Sequence, residues 1–218
     1  MKKNTVIFDL DGTLLNTLQD LADATNYALR EQGMPERTID EVRQFVGNGV
    51  RLLMIRAIPG GEENPLFEET FALFKSYYGE HCNDHTKPYE GIMELLATLR
   101  EKGYAVAIVS NKIDFAVKEL SKLYFQGIVP VAIGEKEGIR RKPAPDTVFE
   151  ALKELGRTKE EAVYVGDSDV DIVTAQNAGM PCISVLWGFR DKAFLKAHGA
   201  SHYAEKAEEI LKYVEEFN

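Results

Sequence analysis

Several protein classes are excluded by what this chain of 218 residues has little of. It carries two cysteines, Cys82 and Cys182, far apart in sequence. That is no disulfide framework and fits reduced thiols. No apolar stretch approaches the roughly 20 residues a membrane-spanning helix needs. The apolar run near the start, Thr5-Val6-Ile7-Phe8, stops at Asp9, too short for the core of a secretory signal. Basic residues are outnumbered, 26 Lys and Arg against 35 Asp and Glu, for a formal net charge of −9. Their one block is Arg140-Arg141-Lys142. Such a balance argues against non-specific nucleic-acid binding, which depends on neutralising phosphates. A small phosphorylated ligand stays compatible with it, because one local site can be positive on an acidic protein. Repeats and low-complexity segments are missing too. The expectation is a soluble, cytoplasmic protein, monomer or homodimer, with no membrane and no nucleic-acid partner.

What is present suffices for a core: 44% of the residues are hydrophobic and 28% charged. Continuous apolar runs bounded by turn residues read as buried parallel strands. They are Thr5–Phe8, Tyr104–Val109, Gly127–Ile133 (weakened by Pro130), Ala162–Val165 and Cys182–Leu186. Helical patterns separate them. Ile92, Leu95, Leu96 and Leu99 repeat at helix spacing before Gly103, and Val148, Ala151, Leu152 and Leu155 do so before Gly156. Alternating strands and helices predict an α/β fold, a doubly wound, Rossmann-like parallel sheet. The alternation fails over 16–86, where only helical patterns occur. Leu18 to Leu29 shows an apolar face with Thr17 and Asp20 as a start signal. Val50–Ile58 reads as a short helix. Phe67, Phe71, Phe74 and Tyr78 stripe another, with Asn64-Pro65 as its start. The expected organisation is a catalytic core of 1–15 and 87–218, with an all-helical cap domain of 16–86 inserted after the first strand. Glu205–Glu216 reads as an amphipathic closing helix with Ile210, Leu211 and Val214 inward.

Four clusters follow the predicted strands or sit in their crossovers. Asp9-Leu10-Asp11-Gly12-Thr13 places two carboxylates at the end of the first strand, where open α/β sheets bind ligands; it is also an ordinary Asp/Gly turn. Gly166-Asp167-Ser168-Asp169-Val170-Asp171 crowds three carboxylates that repel unless a cation compensates, and it also suits a helix cap. Ser110-Asn111-Lys112 offers anion donors or a plain N-cap pair. Lys142-Pro143-Ala144-Pro145 holds one lysine in a stiff loop. Together they supply a carboxylate nucleophile, a second acid, oxygen ligands, a hydroxyl and a cation, which is the set phosphoryl transfer requires.

These four ordered motifs resemble those of the haloacid-dehalogenase-like hydrolases, over essentially the whole chain. Val46-Gly47-Asn48-Gly49 adds a likeness to the phosphoglycolate-phosphatase-like branch. The resemblance implies that Asp9 attacks phosphorus and forms an aspartyl-phosphate. Asp11 would protonate the leaving oxygen and then activate water. Mg²⁺ would sit on Asp9, the backbone carbonyl of Asp11, and Asp167, with Asp171 orienting its water ligands or binding closer. Ser110 and Lys142 would hold the phosphoryl oxygens. Thr13 and Asn111 join the expected substrate contacts. Gly47-Asn48-Gly49 reads either as a turn between helices or as a substrate-facing loop; if it faces the core, Asn48 and Arg51 are the candidates for reading the leaving group. Dehalogenating members lack an acid at the Asp11 position, so a phosphatase is expected, acting on a small phosphorylated metabolite such as phosphoglycolate. A sugar-phosphate mutase using the same intermediate is the alternative, and a non-catalytic phospho-acceptor module is disfavoured by Asp11 and the cap. His81, Cys82 and His85 admit a zinc site, although a helix end explains them as well. Trp187-Gly188-Phe189-Arg190 follows the last strand and reads by default as a surface loop, with the rim of the pocket as the alternative.

Overall fold

The computed structural model describes residues 2–218. The chain opens with β1 (Thr5–Phe8) and passes through β2 (Leu15–Asn16) into four helices, α1 (Leu18–Glu31), α2 (Ile39–Phe45), α3 (Val50–Ala57) and α4 (Phe67–His81). It continues through β3 (Lys87–Pro88) into α5 (Ile92–Glu101), β4 (Ala105–Ile113), α6 (Asp114–Phe125), β5 (Val131–Glu135), α7 (Asp146–Leu155), β6 (Ala162–Gly166) and α8 (Asp169–Ala178). The last elements are β7 (Cys182–Val185), α9 (Lys192–Ala197), β8 (Tyr203–Ala204) and α10 (Glu208–Glu216). Two units result, one of Met1–Leu15 with Pro88–Asn218, the other of Asn16–Lys87. No helix among the described residues is long and apolar enough to cross a membrane.

The first unit is an α/β fold around a six-stranded sheet in the order β5-β4-β1-β6-β7-β8, all pairs parallel. The chain winds outward from β1 in both directions, which makes β1 the switch point of a doubly wound sheet. Both sheet faces are covered, so the strands are apolar on both sides. Val6, Phe8, Ile108, Val163 and Val165 pack with Leu96, Leu99, Ile210 and Val214 on one face. Ile7, Ala107, Ile133 and Tyr164 pack with Val148, Ala151 and Leu152 on the other. Helix ends follow sequence. Gly103, at φ 77°, closes α5 as Tyr104 N–H donates to the Leu99 carbonyl at 2.9 Å. Gly156 does the same for α7.

Three expectations need correction. β5 begins at Val131, not Gly127: Pro130 has no N–H to give a neighbouring strand, and the amides of Ile128 and Val129 instead turn back to the Phe125 carbonyl at the end of α6. β4 runs four residues beyond Val109, through the polar Ser110-Asn111-Lys112, with a register shift between Val109 and Ile113, so Ser110 and Asn111 do not cap a helix. Thr17 precedes α1 without a side-chain cap, and Asp20 faces elsewhere.

In the helical unit, Leu21, Ala28, Leu53, Phe74 and Tyr78 are buried, and Tyr27 stacks on Tyr77 with ring centroids 4.2 Å apart. α2 starts in a Thr38/Glu41 capping box that the sequence reading did not single out. α4 starts at Phe67, just past Asn64, whose Oδ1 accepts the Leu66 amide at 2.9 Å. The polar anchor of this unit is Asp20. It is 2% exposed and accepts the amides of His85 (2.8 Å) and Thr86 (2.9 Å) and the Thr86 hydroxyl (2.7 Å). Removing it strands three donors. Asp20→Ala is expected to cost on the order of 3 kcal/mol, a fall in Tm of about 6–12 °C. Thermal unfolding beside the half-exposed Asp23→Ala control checks this; equal midpoints for the two variants would contradict it.

Candidate active site

Strand register assembles the site. Phe8 lies level with Ile108 on one side and Val165 on the other. The residues just beyond these pairs therefore emerge together: Asp9 after β1, Ser110 within β4, Gly166 and Asp167 at the end of β6. The Asp9 amide continues the ladder by donating to the Val165 carbonyl at 2.9 Å. Asp9, Asp167 and Asp171 are all buried, and each offers an oxygen within 4.8 Å of the other two.

Lys142 enters this group from the loop before α7. Its ammonium lies 2.8 Å from Asp9 Oδ1 and 2.8 Å from Asp171 Oδ1, and donates to the Tyr164 hydroxyl at 3.1 Å. Burial alone would lower the Lys142 pKa, but Asp171 and Asp9 outweigh it and hold it well above its ordinary value. Asp9 is pushed well up by burial and then by Asp171, only partly offset by Lys142. Asp167 rises to about 7 by burial and then by Asp171, against the Phe189 amide and Lys142. The lysine's loop is itself held: Asn111 Nδ2 donates to the Lys142 carbonyl at 3.0 Å, and Asn177 Nδ2 to that of Pro143 at 2.8 Å. Asn111, expected on substrate, thus supports the lysine.

Asp171 is more deeply engaged than the sequence implied. Its Oδ1 accepts from Lys142 and from the Tyr164 hydroxyl at 3.0 Å, and its Oδ2 from the Ser168 hydroxyl at 2.6 Å and amide at 3.1 Å. Ser168 is the N-cap of α8, so the helix start and the acidic site share residues. Asp167 sits in a cradle of glycine backbone. A Cβ at Gly12, where φ is 85°, or at Gly188 would overlap its side chain. Its Oδ2 accepts the Phe189 amide at 2.7 Å, and the Thr13 hydroxyl lies 3.4 Å from its Oδ1. Thr13, also expected on substrate, therefore faces Asp167. The Trp187–Arg190 segment is not a plain surface loop: besides Phe189, the Trp187 indole donates to the Thr13 carbonyl at 3.0 Å, and Arg190 comes 4.0 Å from Asp169.

Asp11 stands apart from the trio and pairs with Lys112, Nζ to Oδ1 2.9 Å. Ser110 is buried beside them, its Oγ accepting the Lys112 amide at 3.2 Å. Lys112 and Tyr164 were not assigned roles from sequence. In the helical unit Arg51 is held by Glu62 (2.7 Å) and Glu68 (2.6 Å) and lies over Phe67, so its charge already has partners. Asn48 lies between Gly47 and Gly49, both at positive φ, just before α3. Among the described residues His81, Cys82 and His85 form no ligand cluster. His81 faces Asp84 at 2.8 Å, and His85 groups with Asp20 and Asp23.

The trio fits a divalent metal. Three buried carboxylates gather where one lysine touches two of them, and all the donors are hard oxygens.

Comparison with known proteins places these features in context. The family model for haloacid dehalogenase-like hydrolases matches residues 6–185. A phosphoglycolate phosphatase of Aquifex aeolicus (strain VF5) is 35% identical over 185 residues, covering 84% of this chain and 85% of that protein. The pyrophosphatase PpaX of Bacillus cereus (strain AH820) is 31% identical over 221 residues, covering 100% and 99%. A crystal structure from Lactobacillus delbrueckii subsp. bulgaricus, provisionally assigned as a phosphoglycolate phosphatase, superposes with a TM-score of 0.93 at 38% identity, covering 98% and 99%.

A pH-dependent metal effect on stability is expected. Without a cation Asp167 has a folded pKa of about 7 against roughly 3.9 unfolded. The raised value contributes stability that is whole below the unfolded pKa and lost as pH climbs to the folded one. A divalent cation replaces the proton, so at one fixed MgCl₂ concentration it should stabilise the fold more at about pH 8 than at about pH 6, by on the order of 1 kcal/mol, because about one unit of proton competition is relieved across a pKa of about 7. Calorimetry in chelator and in excess MgCl₂ decides; an identical gain at both pH values would contradict it.

Proposed function

This chain belongs to the haloacid dehalogenase-like hydrolases, and we propose that it is a metal-dependent phosphatase that hydrolyses a small phosphorylated metabolite through an aspartyl-phosphate. The observation that carries this reading is the buried contact of Lys142 with Asp9, inside a carboxylate group short of positive charge. Asp9 is the nucleophile. Lys142, 2.8 Å from its Oδ1, draws the phosphoryl group toward that oxygen and balances the charge that gathers there. Ser110 supplies a hydroxyl to a phosphoryl oxygen. Asp11 protonates the leaving oxygen and, as carboxylate, takes the proton of the water that cleaves the acyl phosphate. Asp171 keeps Lys142 in place from beneath rather than meeting substrate.

The metal, which we assign as Mg²⁺, would be held by Asp9, Asp167 and the Asp11 carbonyl, with Asp171 beside them; it supplies charge neutralisation and orientation for the phosphoryl oxygens. The helical unit is assigned the reading of the leaving group, with Asn48 its first candidate because Arg51 is engaged by Glu62 and Glu68.

Phosphoglycolate is the first substrate choice, supported by the Aquifex relative. Pyrophosphate is the second, favoured because similarity to the Bacillus pyrophosphatase runs the full length of both chains. In both the departing group is an anion, glycolate or phosphate.

Phosphate release from 2-phosphoglycolate, pyrophosphate, hexose phosphates, nucleoside monophosphates and an aryl phosphate tests the reading. The wild type should turn over at least one in Mg²⁺ and none in chelator, and Asp9→Asn should lose on the order of 10⁴-fold. Full activity in chelator, or an active Asp9→Asn, overturns it. Net isomerisation of a sugar phosphate outpacing phosphate release would make the chain a mutase instead.

A further inference from the structure

One buried cation has no part in the scheme above. Lys112 lies near the end of β4, and its side chain is 2% exposed. Burying an ammonium is costly unless an opposite charge meets it. Here that charge is Asp11, whose own side chain keeps 15% exposure. Asp11 has little else to fix it. It is absent from the trio around Lys142, and it follows β1 in a turn that closes as the Gly12 amide donates to the Leu15 carbonyl at 2.9 Å. An aspartate so placed has two torsions to choose. An ammonium 2.9 Å from Oδ1 selects among them. Lys112 is itself tied to the site, because its amide donates to Ser110 Oγ.

We propose that Lys112 is a positioning residue for Asp11: it holds Oδ1, and so aims the carboxyl group at the oxygen of the leaving group. The inference rests on the phosphatase reading and on Asp11 as its acid and base. Lys112 then contributes to proton transfer without touching substrate, in contrast to Lys142, which meets the phosphoryl group.

Two signatures follow. A misaimed acid matters where the leaving group is basic and needs its proton. Lys112→Met should therefore lower kcat/KM by on the order of 10²-fold for alkyl phosphates, but by less than about fivefold for an aryl phosphate with an acidic phenol. Moreover, Lys112 acts only through Asp11, so adding Lys112→Met to Asp11→Asn should change the residual aryl phosphatase activity by less than about twofold. Lys112→Arg, which retains the charge, should recover part of the alkyl phosphate rate. The experiment is this double-mutant cycle on aryl and alkyl phosphates, with thermal midpoints measured for each variant; Lys112→Gln takes the place of a Lys112→Met that fails to fold. Equal losses on both substrate types, or an undiminished loss in the Asp11→Asn background, would mean that Lys112 binds the phosphoryl group directly and would overturn the inference. A wild type inert toward every phosphomonoester would instead sink the phosphatase reading itself.

Discussion

Carboxylates within 4.8 Å of one another, shielded from water, cannot all stay ionised unless cations stand among them. Two unit charges at about 4 Å repel by on the order of 4 kcal/mol even in a fairly polar protein environment. Among the described residues Asp9 and Asp171 meet that condition through direct contact with Lys142, while the charges of Lys142 and Arg190 act on Asp167 without contact, and much of the surrounding structure is arranged to keep the Lys142 ammonium fixed. Tyr164 reaches it from β6, Asn111 and Asn177 grip its loop, and Ser168 secures the carboxylate beneath it. The remaining negative charge makes the cluster suited to a divalent ion.

The doubly wound sheet was legible in the sequence because strands covered on both faces must be apolar throughout, and the glycines after Leu99 and Leu155 ended their helices as the pattern required. That Asp9, Ser110, Lys142 and Asp167 gather at one edge of the sheet was legible because each stands near the C-terminal end of a strand or in a crossover. Other features could not be read the same way. β4 carries a polar end that no hydrophobic pattern marks as strand. The contacts of the Thr13 hydroxyl with Asp167 and of the Asn111 amide with the Lys142 carbonyl join residues far apart in sequence, which no local pattern marks. Lys112 and Tyr164 lie within β4 and β6, where no local pattern marks a buried polar partner. Their partners lie across the sheet: Asp11 for Lys112, Lys142 for Tyr164.

The helical unit obeys different physics. Its ordering depends on a helix pair with stacked aromatics and on one buried aspartate that gathers the amides of the chain's return segment. In it two glutamates and two aromatic rings surround the Arg51 guanidinium. Substitutions on the surface of such a unit leave the carboxylate cluster of the sheet unit undisturbed, because the two sets of side chains are built on separate folding supports.

The indole that donates to the Thr13 carbonyl belongs to the chain's single tryptophan. Its emission therefore arises from one place, the half-buried Trp187 leaning on the turn that carries Asp9 and Asp11, with Tyr89 as an aromatic neighbour at 6.4 Å. The protein carries its own optical reporter. Anything that shifts that turn or breaks the indole hydrogen bond alters the wavelength or intensity of a single fluorophore, with no label attached and no second tryptophan to blur the signal.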